Sequence, residues 1–122
     1  MSHFYRDETS GSLFLPFLEQ QGSASAGLSA VAPNTTDAAQ EKHVPVIHVD
    51  GNRVVVDVGS AAHPMQDEHY ITAIYLETKL GGQLRRLSPG EKAQAVFLLA
   101  DNDEPVAAYE YCNLHGLWKA DI

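Results

Sequence analysis

The sequence predicts an all-β chain built as an antiparallel β-sandwich, with a small extension at its N-terminus. Short runs rich in β-branched residues recur at regular spacing after residue 43, and turn-forming residues separate them. The same stretch carries no helical periodicity long enough for a core helix, and no internal repeat. Of the 122 residues, 44% are hydrophobic, which is enough for one core. We therefore expect about seven strands in one sandwich domain.

The first predicted hairpin is the best defined. Residues 44–49 and 53–58 are rich in valine and isoleucine, and they flank Asp50-Gly51-Asn52, a strong hairpin signal. Residues 70–80 alternate polar and apolar side chains, as a half-buried strand does, and Gly81-Gly82 predicts a turn after them. Further strands are expected at 83–87, 93–100 and 105–111.

The N-terminal part has a different composition. Small and turn-forming residues dominate from about residue 22 to residue 36, so this stretch has little to bury. A capping residue, Thr36, precedes good helix formers and predicts one helical turn that leads into His43. We expect an extension over residues 1–37 and the sandwich domain over residues 38–122.

Composition excludes several classes of partner. A formal charge of −8 disfavours binding to nucleic acid or to an anionic membrane surface. No apolar run approaches the roughly 20 residues that a membrane span needs. The single cysteine cannot form an internal disulfide, and the N-terminus lacks the pattern of a signal peptide. We expect a soluble, cytoplasmic protein that binds neither nucleic acid nor membrane.

One short segment near the C-terminus has the spacing of a metal-binding loop. Cys112 precedes His115 by three residues, and Asn113 and Gly116 supply turn formers around the pair. A lone cysteine is more often a buried small hydrophobic residue. Here the predicted strand 105–111 ends immediately before the pair, so both side chains are expected on a loop held by the sandwich.

Three further histidines occupy similar positions. His63 and His69 lie in one short loop stiffened by Pro64, and His43 lies at another junction between a loop and a strand. An isolated loop histidine is usually just solvated, but here three loops offer metal donors at strand ends. His3 and His48 are not expected to be ligands, since one lies at the terminus and the other within a strand.

The donor set discriminates among metals. Structural zinc takes four ligands, usually with more cysteines, so five donors are one too many. Blue copper also uses a β-sandwich, with two histidines, one cysteine and a weak axial methionine. In the loop after Cys112, Leu117-Trp118 stands where that methionine is expected, and Met65 lies far upstream. Four imidazoles and one thiolate fit iron better, with one position left open.

Three motifs together resemble a known family. The segments Glu41-Lys42-His43-Val44-Pro45, His63-Pro64-Met65 through Glu68-His69-Tyr70-Ile71, and Cys112-Asn113-Leu114-His115-Gly116-Leu117-Trp118 closely resemble superoxide reductases of the desulfoferrodoxin/neelaredoxin family. The resemblance runs in order from about Leu28 to the C-terminus. It implies an immunoglobulin-like sandwich and an enzyme that reduces superoxide to hydrogen peroxide at one mononuclear, non-haem iron.

The resemblance also implies residue roles. His43, His63, His69 and His115 match the equatorial iron ligands, and Cys112 matches the axial one. Glu41 matches the residue that occupies the sixth position in the ferric resting form. Lys42 matches the lysine that guides superoxide, which it can do despite the negative net charge because salt screens distant charges. Tyr70, Tyr111 and Trp118 are expected to pack around the site.

One departure from the family concerns the N-terminus. Two-iron members carry a desulforedoxin-like domain whose four cysteines bind a second iron, whereas Cys112 is the only cysteine of this chain. We therefore expect a degenerate extension without a metal centre, and an external electron donor such as a rubredoxin. The resemblance favours a homodimer. Two alternatives stay open: a cupredoxin-like electron-transfer protein and a non-catalytic zinc-binding module.

Overall fold

The computed structural model describes residues 4–18 and 27–122, and the chain forms two compact units that divide between Ala32 and Pro33. The first unit holds a three-stranded antiparallel sheet in the order β2-β1-β3. Its strands are β1 (Phe4–Asp7), β2 (Leu13–Phe14) and β3 (Leu28–Val31). Residues 22–26 of the turn-rich stretch predicted around residues 22–36 lie outside the described residues.

The second unit is the predicted sandwich. Its described residues form one helical turn and seven strands in two antiparallel sheets, of order β10-β9-β6-β7 and β4-β5-β8. The fold class is therefore confirmed. The elements are α1 (Gln40–His43), β4 (Pro45–Asp50), β5 (Arg53–Val58), β6 (Ile71–Thr78), β7 (Gly81–Arg86), β8 (Gln94–Leu98), β9 (Pro105–Cys112) and β10 (Gly116–Asp121).

Three local predictions were wrong. The helical turn begins at Gln40 rather than Thr36, and no side chain caps it. Gly81 and Gly82 belong to β7, because the hairpin turn falls at 79–80, where Asp103 and Glu104 accept the two turn N–H groups. The segment after His115 forms β10, whereas the ligand motif predicted a loop there. Gly82 suits its place in the strand because the ring of Tyr75 fills the space of a Cβ.

The sandwich core lies between the two sheets. The three buried valines Val54, Val56 and Val58 line one face of β5, as alternation within a half-buried strand requires. They form one cluster with apolar residues of β6, β8 and β9 and of the loops beside them. Cys112, which is fully buried, belongs to this cluster. The only cysteine thus lies at an end of the core.

The antiparallel topology places one end of each of five strands beside its paired neighbour. The start of β4 pairs with the end of β5, at Pro45 and Val58. In the other sheet, Cys112 at the end of β9 pairs with Gly116 at the start of β10 and with Ile71 at the start of β6. Loops that leave or enter these strands therefore meet at one end of each sheet.

Candidate metal centre

Four histidines and one cysteine meet at the sheet ends. One donor atom from each of the five lies within 4.8 Å of all the others. This cluster contains every residue that the sequence predicted as a ligand: His43, His63, His69, Cys112 and His115. His48 lies outside it, exposed on β4 and paired with Asp57 at 3.3 Å, and His3 lies outside the described residues.

The four imidazole rings follow one another in a closed cycle. Neighbouring ring centroids are 4.7 Å apart for His43 and His63, 4.7 Å for His63 and His69, 5.1 Å for His69 and His115, and 4.9 Å for His115 and His43. Each neighbouring pair is nearly perpendicular, with interplanar angles between 76° and 90°. The rings therefore present their edges to a common centre.

The thiol of Cys112 adds a fifth donor to this cycle. Its Sγ atom lies 3.6 Å from Nε2 of His63 and 3.8 Å from Nδ1 of His115. Burial raises the pKa of the thiol, and the backbone N–H groups of Leu114 and His115 partly oppose that rise. A cation at the centre would favour the thiolate further, since metal binding displaces the thiol proton.

Main-chain carbonyl groups orient two of the rings. Nδ1 of His43 donates to the carbonyl of Ala39 at 2.7 Å, and Nδ1 of His63 donates to the carbonyl of Pro64 at 2.7 Å. A neutral imidazole has one N–H, so the Nε2 atom of each ring carries a lone pair. These two Nε2 atoms lie only 3.1 Å apart. Two lone pairs at that distance repel each other unless a cation lies near them.

Protonation of the two rings does not relieve this repulsion at neutral pH. Burial is the main cause that lowers the pKa of His43, and it lowers the pKa of His63 to about 4. Both rings are therefore neutral at pH 7. In addition, Nε2 of His69 is buried without a hydrogen-bond partner among the described residues. Convergent lone pairs and an orphaned buried nitrogen fit a metal ion.

Asn113 fixes the loop that carries His69. Its side-chain oxygen accepts the N–H of Tyr70 at 2.9 Å, and its side-chain nitrogen donates to the carbonyl of Glu68 at 3.1 Å. Its own N–H donates to the carbonyl of Tyr70 at 3.2 Å. Asn113 therefore joins the loop of Cys112 to the residues on both sides of His69. From its place in the sequence, Asn113 was predicted only to form a turn.

Trp118 packs where it was expected. It is buried, its indole ring stacks on His43 with centroids 4.9 Å apart, and Nε1 donates to the carbonyl of His115 at 3.1 Å. One side chain thus contacts two members of the cluster. The thioether of Met65 accepts the N–H of Ile71 at 3.3 Å.

Glu110 is a feature that the sequence analysis missed. It lies two residues before Cys112 in β9, and its carboxyl group is buried with no hydrogen-bond partner among the described residues. Burial raises the pKa of this carboxyl to about 9, so it is protonated and neutral at pH 7. Position 110 carried no sequence signal, because a charged residue in an alternating strand normally faces solvent.

Glu41 and Lys42 lie on α1 directly before His43, and both side chains are exposed. The turn therefore ends inside the cluster and presents a carboxylate and an ammonium group at its surface. The structure brings the five donors together and leaves these two residues at the edge. Fold and site together define a class: a β-sandwich with a centre of four imidazoles and one thiol at one end.

Known proteins of this class match the chain. The family model described as Desulfoferrodoxin matches residues 35–121. A desulfoferrodoxin from Syntrophotalea carbinolica is 48% identical over 88 residues, which cover 72% of this chain and 68% of the relative. A desulfoferrodoxin from Clostridium acetobutylicum is 47% identical over 95 residues, which cover 78% of this chain and 74% of that protein. The chain belongs to the desulfoferrodoxin family.

Solved structures agree with this assignment. The superoxide reductase from Treponema pallidum superposes with a TM-score of 0.83 at 41% identity, and 99% of each chain is covered. The one-iron superoxide reductase from Giardia intestinalis gives a TM-score of 0.58 at 33% identity and covers 67% of this chain and 97% of its own. The first match covers almost the whole chain, and the second covers about two thirds of it.

Proposed function

We propose that the chain is a superoxide reductase. The reaction joins one superoxide anion, one electron and two protons to give one molecule of hydrogen peroxide. The closed cycle of four imidazoles around one thiol carries the proposal, because this donor set converges in a chain of the desulfoferrodoxin family. The names of the similar solved proteins support the same activity.

The proposed cofactor is one mononuclear iron per chain. His43, His63, His69 and His115 would hold it as nitrogen donors and Cys112 as the sulfur donor. Five donors are more than structural zinc uses, and blue copper uses two histidines and one cysteine rather than four histidines and one cysteine. When bound, iron supplies the transferable electron and an open position for the substrate, with the thiolate as an electron-rich ligand.

Lys42 is proposed to attract superoxide and to assist its protonation. The chain carries a formal charge of −8, which repels an anion at long range. Salt screens exposed charges beyond about 8 Å at physiological ionic strength. A lysine one residue from the ligand His43 would therefore attract superoxide at short range, where the net charge of the chain counts for less. Glu41, on the same turn, is proposed to close the open position in the resting ferric state.

The buried residues Trp118 and Glu110 are proposed to keep water away from the donor atoms. Trp118 covers His43, and the neutral carboxyl of Glu110 lies two residues below the thiol on the same strand. A dry surrounding strengthens each electrostatic interaction within it. The protonated Glu110 also adds no second negative charge beside the thiolate of Cys112.

The electron that restores the centre is proposed to come from outside the chain. Cys112 is the only cysteine, so the N-terminal unit has no thiolates for a second iron. We propose a degenerate, desulforedoxin-like extension over residues 1–37, a sandwich domain over 38–122, a small redox protein such as a rubredoxin as donor, and a homodimer in the cytoplasm. Among the described residues, the only helix is a single turn, too short to cross a membrane.

Metal analysis tests the proposed cofactor. Protein purified without oxygen should contain about one iron per chain, and Cys112→Ser should lose most of it. The same measurement on the exposed-residue variant Asn102→Ala provides the control, because position 102 lies in the turn before β9, at the end of that strand opposite to Cys112. Zinc or copper in place of iron would support the zinc module or the copper protein and contradict the proposal.

A further inference from the structure

The carbonyl group of Glu41 is held from outside its own helix. α1 has four residues, and a helix this short is not stable by itself. The N–H of Ala61 donates to the Glu41 oxygen at 2.8 Å, and the hydroxyl of Ser60 donates to the same oxygen at 3.3 Å. Residues 59–61, here called the 59–61 turn, therefore hold the peptide group that joins Glu41 to Lys42.

Gly59 lies against that same peptide group. A Cβ at position 59 would be 2.7 Å from the carbonyl carbon of Lys42 and 2.9 Å from that of Glu41, and closer still to the Glu41 oxygen. These atoms are main chain, so they cannot rotate away as a side chain would. Gly59 also has a φ of +58°, which favours glycine. Space and backbone conformation therefore both require glycine at this position.

The two carbonyl groups that precede Glu41 accept hydrogen bonds from within the segment. Ala39 accepts from the N–H of Lys42 at 3.2 Å and from the His43 ring at 2.7 Å, and Gln40 accepts from the N–H of Val44 at 2.9 Å. The side chains of Glu41 and Lys42 are exposed, so packing does not fix them. Their place at the cluster depends on their backbone, and the 59–61 turn is what holds that backbone from outside.

We infer that the 59–61 turn, with Gly59 at its contact point, positions Glu41 and Lys42 beside the metal cluster. The turn leads directly into His63, so one segment carries a ligand and holds the two residues next to the ligand His43. This role rests on the proposed function, because it matters for catalysis only if Lys42 acts on superoxide. Gly59 and Ser60 are positioning residues and touch no reacting atom.

Gly51 provides a matched control for Gly59. It has a φ of +60°, and a Cβ there would meet nothing within 4 Å. Gly51→Ala therefore imposes the same backbone strain as Gly59→Ala without the contact on Glu41 and Lys42. Ser60→Ala removes one of the two hydrogen bonds and adds no strain. Each variant is prepared as the full, iron-loaded chain and compared with the native chain for iron content.

Hydrogen exchange of the peptide that spans residues 40–44 tests the turn without measuring activity. In Gly59→Ala the amides of Lys42 and Val44 should exchange about tenfold faster, as the loss of a hydrogen bond predicts. Ser60→Ala should show a smaller rise, and Gly51→Ala should match the native chain. Native exchange in Gly59→Ala would overturn the inference. If Gly59→Ala does not fold, native exchange in Ser60→Ala would overturn it instead.

The rate of superoxide consumption tests the consequence for catalysis. Between about 0.01 M and 0.15 M salt, screening should lower the native rate if the field of Lys42 controls it, and the trend should reverse in Lys42→Ala. In Gly59→Ala the salt dependence of the rate should shift toward that of Lys42→Ala. The double variant Gly59→Ala/Lys42→Ala should be no slower than Lys42→Ala alone. Gly51→Ala should show the salt dependence of the native chain. A Gly59→Ala trend equal to that of Gly51→Ala would contradict the positioning role. A native trend in Lys42→Ala would contradict the proposed role of Lys42 in attracting superoxide, whereas the exchange result would still stand.

Discussion

The Nε2 atoms of His43 and His63 lie 3.1 Å apart, and the Nδ1 atom of each ring donates to a main-chain carbonyl. Both tautomers are therefore set by the backbone before any metal binds. The fold fixes two convergent lone pairs, and the cost of their repulsion is recovered when a cation binds. This relationship predicts how the metal-free protein responds to acid.

Metal-free protein should lose stability as the pH falls from about 6.5 toward about 4. Burial of the ring is the main cause that lowers the pKa of His63 from its ordinary value of 6.5 to about 4 in the fold. The unfolded chain binds more protons over that range, so acid favours unfolding, by on the order of 2–3 kcal/mol from His63. Urea unfolding at several pH values measures the effect. His63→Gln should flatten the curve, and an unchanged slope would contradict the neutral buried ring.

Glu110 should produce the opposite trend. Its pKa is raised by burial from 4.5 to about 9, so the folded state binds more protons than the unfolded chain between those values. The contribution of Glu110 to the free energy of unfolding is therefore greatest below pH 4.5 and decreases as the pH rises. Glu110→Gln removes this loss. Its advantage over the native chain should grow with pH, by up to about 1.4 kcal/mol per unit. A difference that does not vary with pH would show that the carboxyl has found a partner.

Trp118→Phe should weaken the site while the stacking on His43 is kept. The variant loses the hydrogen bond from Nε1 to the carbonyl of His115, which contributes about 1 kcal/mol to folding. We expect metal affinity to fall by about tenfold, since partners of metal ligands typically contribute 10–100-fold. Competition with a chelator measures this. Native affinity in Trp118→Phe, with a loss in Trp118→Leu, would assign the effect to stacking alone.

Asn113→Ala should release the loop of His69. Two side-chain hydrogen bonds to the residues that flank His69 are lost, at a cost of about 1–2 kcal/mol in the free energy of unfolding. Metal affinity should also fall, because His69 is no longer held in place. Asn102→Ala is the control, since exposed turn positions usually change stability by less than about 0.5 kcal/mol. Equal metal affinity in the two variants would contradict the role of Asn113.

The sequence predicted much of the sandwich because its strands alternate and end at glycine or asparagine turns. β5 was predicted with its observed bounds, Arg53–Val58. The three strands of the first unit were missed, because strands of two to four residues have too few positions to show alternation. β10 was missed because it starts one residue after His115, within a segment that the ligand motif marked as loop.

The cluster could be predicted because each donor lies in a short motif beside a strand end. What holds the donors could not be predicted, since Asn113 and Trp118 act through contacts that only the folded chain reveals. Glu110 was beyond reach for a different reason. β9 is paired on both sides, by β10 and β6, and is buried on both faces, so its alternation does not identify an outward face.

A pulse of superoxide tests whether the five-donor cluster holds iron that reduces superoxide. Iron-loaded protein, reduced beforehand, is exposed to a pulse of superoxide, and superoxide loss, hydrogen peroxide and oxygen are all measured. One superoxide consumed and one hydrogen peroxide formed per iron, with no oxygen released, is the predicted result. Superoxide decay no faster than with the metal-free chain, or oxygen released with the peroxide, would contradict the claim.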